Sequence, residues 1–366
     1  MLPKFTTLLL SILLFASVFG YGQDSNATQA KKERKSKLAA IPLINYNRTQ
    51  GGIVGGLVSY YYKLNKKDTI SPSSNVGIFG VYTAQKSYAV FGFSRMYFAR
   101  DRWRVTAAAG AVDINFQFYL EEPAASTGSF YDYSTKANLL ILQVQRNIYK
   151  RIYLGPTSSF IQSTTTFGFP GKSGEDSVSI SSLNNVGYII SNDTRDNVQY
   201  PTRGMFLNFK NQFYRDWVGS DFEFERYVVT YNQFFKLSKK TEKHVLAIRA
   251  TFDVASGDVP FEGQTVIGGD DIRGYSQGQY RNDQVYTLQA EHRWNFYRRW
   301  GMVAFAGVAS AVEKLDKIPQ SEFLPGVGAG IRFKMLPSER INIGIDGAVG
   351  KDDYSITFRI GEAFGR

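Results

Sequence analysis

The chain has 366 residues, 43 Lys+Arg against 32 Asp+Glu, a formal charge of +11 and no cysteine. Lacking cysteine, it cannot be a disulfide scaffold, a thiolate metal centre or an acylated lipoprotein. After residue 22 no run of 18 apolar residues occurs, which excludes a helical membrane span. A basic total often marks nucleic-acid binding, but here the cations sit in short connectors, and no nucleic-acid partner is expected.

Residues 1–22 read as a secretory signal peptide, with Lys4 as the positive start, Leu8 to Phe19 as the apolar core and Gly20-Tyr21-Gly22 as the small-residue exit. The apolar run is too short for a membrane anchor. Residues 23–38 read as a basic flexible linker carrying Lys31, Lys32, Arg34, Lys35 and Lys37. They are too few for a folded domain. Their charges either solvate a tail or tether the chain to anionic lipid or a partner. Residues 39–366 are assigned to one β-barrel.

From residue 40 onward sixteen strands are expected, at 40–47, 51–64, 75–84, 87–99, 103–119, 138–148, 152–164, 178–192, 203–214, 222–235, 243–254, 284–295, 301–311, 326–335, 340–349 and 354–364. Several alternate with period two. Val112, Ile114, Phe116 and Phe118 oppose Asp113, Asn115 and Gln117; Met205, Leu207 and Phe209 oppose Asn208 and Lys210; Leu246, Ile248, Ala250 and Phe252 oppose Arg249 and Thr251. Ile341, Ile343 and Ile345 oppose Asn342 and Asp346, and Ile356, Phe358 and Ile360 oppose Ser355, Thr357 and Arg359. In a soluble sandwich the apolar face is the core; in an outer-membrane barrel it meets lipid and the polar face lines a wet lumen. The polar faces carry Lys210, Arg249, Glu291, Arg293, Arg332, Lys334, Asp346 and Arg359, which favours the barrel, with Asp113 expected in the same lumen.

Alternate connectors differ in kind. One set is short and basic, with Lys66-Lys67, Arg100 to Arg102, Lys150-Arg151, Lys239-Lys240 and Arg298-Arg299, flanked by Trp103, Tyr149, Trp294, Tyr297 and Trp300. The other set holds long polar stretches at 120–137, 165–177 and 255–283. Short periplasmic turns, long external loops and aromatic girdles characterise outer-membrane barrels, so outer-membrane lipid is an expected partner.

The most distinctive stretch is Gly268-Gly269-Asp270-Asp271-Ile272-Arg273-Gly274-Tyr275, in the long connector between the eleventh and twelfth strands. Glycines open backbone paths closed to other residues, and a lone arginine offers a planar five-donor fork. There, Ile272-Arg273-Gly274-Tyr275 resembles the signature of the BamA/TamA-type superfamily, also called the bacterial surface antigen family. A second resemblance is Asp193-Thr194-Arg195-Asp196-Asn197 with Tyr200-Pro201-Thr202-Arg203-Gly204, similar to that family's mid-barrel strand-turn-strand block; Arg195 and Asp196 are expected to pair near the turn. A third is Ala290-Glu291-His292-Arg293. The resemblance implies a transmembrane antiparallel barrel whose long external loop folds into the lumen, with Arg273 as a latch on the wall. It implies assistance to protein insertion or translocation, or lipid movement, at the bacterial outer membrane after signal cleavage, together with a periplasmic or outer-membrane protein partner. Two departures matter. Residues 23–38 cannot hold a POTRA domain, so the chain resembles the barrel-only subgroup. The wall strand Val303 to Ala309 offers no carboxylate, which leaves inward-facing Glu291 and Asp346 as candidate partners of Arg273.

No enzyme is expected. The two histidines, His244 and His292, fall on the outer face near strand ends, and neither a nucleophile triad nor a metal site is spelled out; no cofactor is expected. The rival readings are a passive, anion-preferring pore and a surface antigen whose loops bind outside the cell.

Overall fold

The computed structural model describes residues 37–47, 50–120, 129–167, 177–197, 200–239, 241–276, 280–337 and 340–364. The expected signal peptide, and the linker cations Lys31, Lys32, Arg34 and Lys35, lie outside the described residues. The strands are β1 Lys37–Asn47, β2 Gly51–Tyr62, β3 Ser74–Thr83, β4 Tyr88–Phe98, β5 Trp103–Leu120, β6 Ser129–Tyr149, β7 Ile152–Phe167, β8 Ser177–Ser182, β9 Asn185–Asp193 and β10 Gly204–Tyr214. They continue as β11 Phe224–Lys236, β12 His244–Gly257, β13 Thr265–Val266, β14 Arg281–Asn282, β15 Gln284–Tyr297, β16 Trp300–Val312, β17 Leu324–Leu336, β18 Ile341–Gly350 and β19 Asp353–Ile360.

All except β13 and β14 form one antiparallel sheet in chain order that closes where β1 meets β19. Strands β8 and β9 run in tandem along β7, so the wall has sixteen staves. Each stave alternates. Outward residues such as Ile78, Val90, Ile180, Leu288, Ile331 and Ile345 are exposed, Ile180 at 77%. An outward apolar belt of this kind belongs in lipid. The inward residues are buried.

Three expectations change. Strand β5 is phased the other way round: Val112 is 2% exposed inside the barrel with Phe79, Phe91, Phe93, Leu139 and Ile161, and Ile114 packs on that cluster. Asp113 faces outward and pairs with Lys136 at 3.7 Å. Alternation separates two faces without saying which is inside, and around Val112 the interior holds an apolar, aromatic-rich cluster. The polar stretch 120–137 is largely a hairpin, since β5 and β6 stay paired up to Leu120↔Ser129. The last strand stops at Ile360; Gly361, at φ +80°, turns the chain inward.

The closing seam is short. Strands β18 and β19 pair over eight positions, Ile343↔Ile360 to Gly350↔Asp353. Strands β1 and β19 pair at three, Asn45↔Thr357, Tyr46↔Ile356 and Asn47↔Ser355, supported by a Tyr46–Tyr354 stack at 6.1 Å.

Candidate functional site

After β12 the chain turns into the barrel. The β13–β14 pair, Thr265↔Asn282 and Val266↔Arg281, clips the base of the loop. Gly268, Gly269 and Gly274 take φ values of 132°, 71° and 108°, a region that side chains with a Cβ rarely enter. The loop therefore reaches the wall along a path that only glycine follows easily.

The wall is shaped to receive it. Ile272 is fully buried, and with Ile267 and Tyr275 it packs on Val285, Ala309 and Leu324. A Cβ on Gly307 would lie 2.9 Å from the Ile272 Cδ1, one on Gly326 would lie 2.5 Å from the Arg273 carbonyl oxygen, and one on Gly350 would lie 2.5 Å from the Tyr275 ring. Three bare wall positions thus form the seat. The Tyr275 hydroxyl donates to the Pro325 carbonyl at 2.5 Å and accepts from the Lys351 amide at 2.9 Å.

Arg273 lies at the centre, 4% exposed. Its Nη1 is 2.7 Å from the Glu291 carboxylate and 3.1 Å from Asp346, and its Nε donates to the Gln289 Oε1 at 2.7 Å. Both carboxylates suggested by parity meet this guanidinium. The wall strand without a carboxylate contributes an aromatic face instead: the guanidinium carbon lies 3.4 Å from the Phe305 ring centroid, a cation–π arrangement.

Further ion pairs extend the site. Asp346 also receives Arg332, and Arg359 at 3.0 Å. Arg359 reaches Asp270 at 2.7 Å, and Arg249 reaches Asp271 at 2.7 Å. Arg332 donates to Glu362 at 2.9 Å. With Arg293, which pairs with Glu291 at 2.8 Å, five arginines thus meet five carboxylates. Four of the cations expected to make the lumen basic, Arg249, Arg293, Arg332 and Arg359, are paired, because Asp270 and Asp271 arrive on the loop and Glu362 arrives after the last strand. Buried charges persist when they are paired in this way.

The second motif joins the first. Arg195 forks onto Asp193, with Nε and Nη2 each 2.8 Å from a carboxylate oxygen, and its guanidinium lies 4.5 Å from the Phe206 ring centroid. Asp196, expected to pair with Arg195 at the turn, holds the turn itself: it accepts from the Thr202 amide at 2.8 Å, the Thr202 hydroxyl at 2.7 Å and the Arg203 amide at 3.2 Å. Asn197 accepts the Tyr200 amide at 2.8 Å, and Gly204 takes φ +92° where the next strand starts. Arg293 donates to Glu291 at 2.8 Å and to the Pro201 carbonyl at 3.2 Å. The path from loop to turn is therefore Arg273–Glu291–Arg293–Pro201.

The chain after β19 was not anticipated as part of the site. Phe364 is fully buried in a cluster with Phe234, Ala247 and Ala363, 5.5 Å from the Arg273 guanidinium carbon. The Glu362 carboxylate also accepts the Asn342 side chain at 2.7 Å. His244 and His292 stand outside this site, stacked at 5.4 Å on the outer face beside Trp294. Among the described residues no three metal-ligating side chains gather.

No curated protein matches the chain. Among solved structures it is similar to BamA from Haemophilus ducreyi lacking POTRA domains 1-3, with TM-score 0.59 and 13% identity over 89% of this chain and 70% of that one. It is also similar to CdiB from Acinetobacter baumannii, with TM-score 0.59 and 12% identity over 91% and 60%. CdiB from Escherichia coli gives 0.58 and 11% over 88% and 62%. The chain thus spans less than two thirds of either CdiB chain, and these identities speak to the fold. The Omp85 superfamily domain matches residues 57–364: the chain belongs to the Omp85 superfamily and is a sixteen-stave β-barrel of the outer membrane.

Proposed function

We propose that this barrel assists insertion of other polypeptides into the outer membrane by offering the edge of β1 to an incoming strand. The observation that carries this reading is the seam. Lys37–Asn47 pair fully with β2, whereas β19 meets only Asn45–Asn47. Among the described residues no strand pairs with that side of β1 from Lys37 to Ile44, and an edge left free in this way is a template for strand addition. The cause is local, because β19 ends at Ile360 and residues 361–364 enter the lumen. Continued in register, Gly361 would fall opposite Ile41. The same segment cannot both fill the lumen and close the seam.

Latch, loop and tail support a lumen that is shut at rest, with the route to the membrane running through the wall. The rival passive pore would need an open interior. A barrel that carries both the five-by-five charge network and the cluster around Phe91 supports that rival poorly.

The test is a seam lock. Tyr46→Cys with Ile356→Cys places a disulfide across a paired position of β1 and β19. Oxidised protein in lipid vesicles should lose the ability to insert a client barrel, and reductant should restore it. Full insertion by the oxidised form would exclude the seam as the route.

A further inference from the structure

Exposed charge is divided unequally between the two rims. On the short-turn rim six connectors project exposed cations, among them Lys66, Arg100, Lys150, Arg203, Lys243 and Arg298, and Glu242 is the one exposed carboxylate among the described residues there. On the opposite rim the balance reverses. Asp216, Asp221, Glu223, Asp258, Glu313 and Asp316 are exposed, and two of the cations, Lys136 and Lys351, are paired with carboxylates.

We propose that the short-turn rim binds the headgroups of anionic phospholipid in the leaflet it adjoins. Three observations select lipid over an acidic protein. The cations encircle the barrel, whereas a docked protein would cover an arc. They sit level with outward aromatics that face the membrane: Tyr149, Trp294, Tyr297 and Trp300 are all exposed, as side chains of an interfacial girdle are. The two sets also touch, with the Lys150 ammonium 4.9 Å from the Tyr149 ring, the Arg298 guanidinium 5.2 Å from Tyr297 and the Arg146 guanidinium 5.5 Å from Trp103. Each such pair offers a ring for the acyl-glycerol boundary and a cation for a phosphate directly above it. The asymmetry also gives the barrel an electrostatic orientation between two unlike leaflets. This proposal is independent of the seam and stands if the insertion reading fails.

The experiment reconstitutes the full chain into bilayers containing spin-labelled phosphatidylglycerol or phosphatidylcholine and reads the motionally restricted fraction. Phosphatidylglycerol should be preferred by about fivefold per occupied position at low salt, and the preference should fall as salt rises. Replacing Lys150, Arg298 and Arg299 with Gln should lower it, and replacing Lys314 and Lys317 on the other rim should leave it unchanged. Circular dichroism of each variant reports that the barrel has folded. Equal restriction of both lipids, or equal loss from the two sets of substitutions, overturns the proposal. Stoichiometric displacement of phosphatidylglycerol by soluble polyglutamate also overturns it, by marking the rim as a protein-docking surface.

Discussion

Arg273→Ala removes a guanidinium that meets Glu291 at 2.7 Å, Asp346 at 3.1 Å, Gln289 at 2.7 Å and the Phe305 face at 3.4 Å. Taken separately, a charged hydrogen bond contributes about 1.5–3 kcal/mol and a desolvated cation–π contact about 2 kcal/mol. Their sum overstates the loss, because burying the guanidinium carries its own desolvation cost of several kcal/mol. The carboxylates left behind are not stranded: Glu291 keeps Arg293, while Asp346 keeps Arg332 and Arg359. The net loss should therefore fall near the low end for a broken buried pair, about 3 kcal/mol. All of it should appear in docking of the loop, because no ladder bond of the wall is touched. Amides of residues 267–276 should then exchange with solvent about a hundredfold faster, those of β15 and β16 at unchanged rates, and external protease should begin to cut the loop. Unchanged exchange at Ile272 and Tyr275 would show that glycine seat and apolar packing hold the loop without the arginine.

Three further expectations concern sites outside that contact. Glu291→Gln should loosen both motifs together, raising exchange at Thr202 as well as at Ile272, whereas Arg273→Ala should leave Thr202 unchanged; identical profiles for the two variants would contradict the linear path. Asp346→Asn should leave the turn at residues 194–203 intact, since that carboxylate pairs with Arg273, Arg332 and Arg359 but not with Arg293. Asp68 ties two short turns: burial alone would raise its pKa, but hydrogen bonds from the Ser71 hydroxyl and from the Ser71, Arg100 and Ile70 amides lower it well below the usual carboxylate value. Its contribution is present above about pH 4 and is lost as pH falls through the lower folded value, so the Arg100 amide should open in acid, and Asp68→Asn should abolish that pH dependence.

The staves were legible because an extended backbone alternates its side chains between two faces, and the connectors because glycine, lysine and aromatic residues mark rims. The phase of β5 was not. Val112 and Asp113 alternate in the same way whichever is inside, and only the aromatics of β3 and β4 decide it. Half of the site was legible for the same reason: Glu291 and Asp346 face inward by parity alone. Phe305 also has inward parity, but a search for a carboxylate passes over a ring that binds the same cation by its face. Glu362 and Phe364 read as the end of a strand, and one positive φ at Gly361 sends them elsewhere. Asp270 and Asp271 read as loop polarity, because the charges they neutralise lie on other staves.

What makes Glu291 the joint of the site is the arithmetic of its neighbours. The network holds five cations and five carboxylates, and Glu291, fully buried, is the carboxylate shared by the loop arginine and the turn arginine. Removing Arg273 leaves one surplus negative charge, which Arg293, Arg332 and Arg359 surround. Removing Glu291 leaves one surplus positive charge, and the two guanidiniums it separated then face each other, with Asp346 the one carboxylate still paired with Arg273. Loss of the shared partner is therefore the more disruptive of the two, by the asymmetry between deleting a charge and stranding one. A double-mutant cycle on Arg273 and Glu291 should return a coupling energy above about 1 kcal/mol, read from exchange at Ile272. The coupling between Arg273 and Asp193, which share no partner, should be near zero. Additive effects at Arg273 and Glu291 would mean that loop and turn are held independently, and that their junction at one carboxylate carries no energy between them.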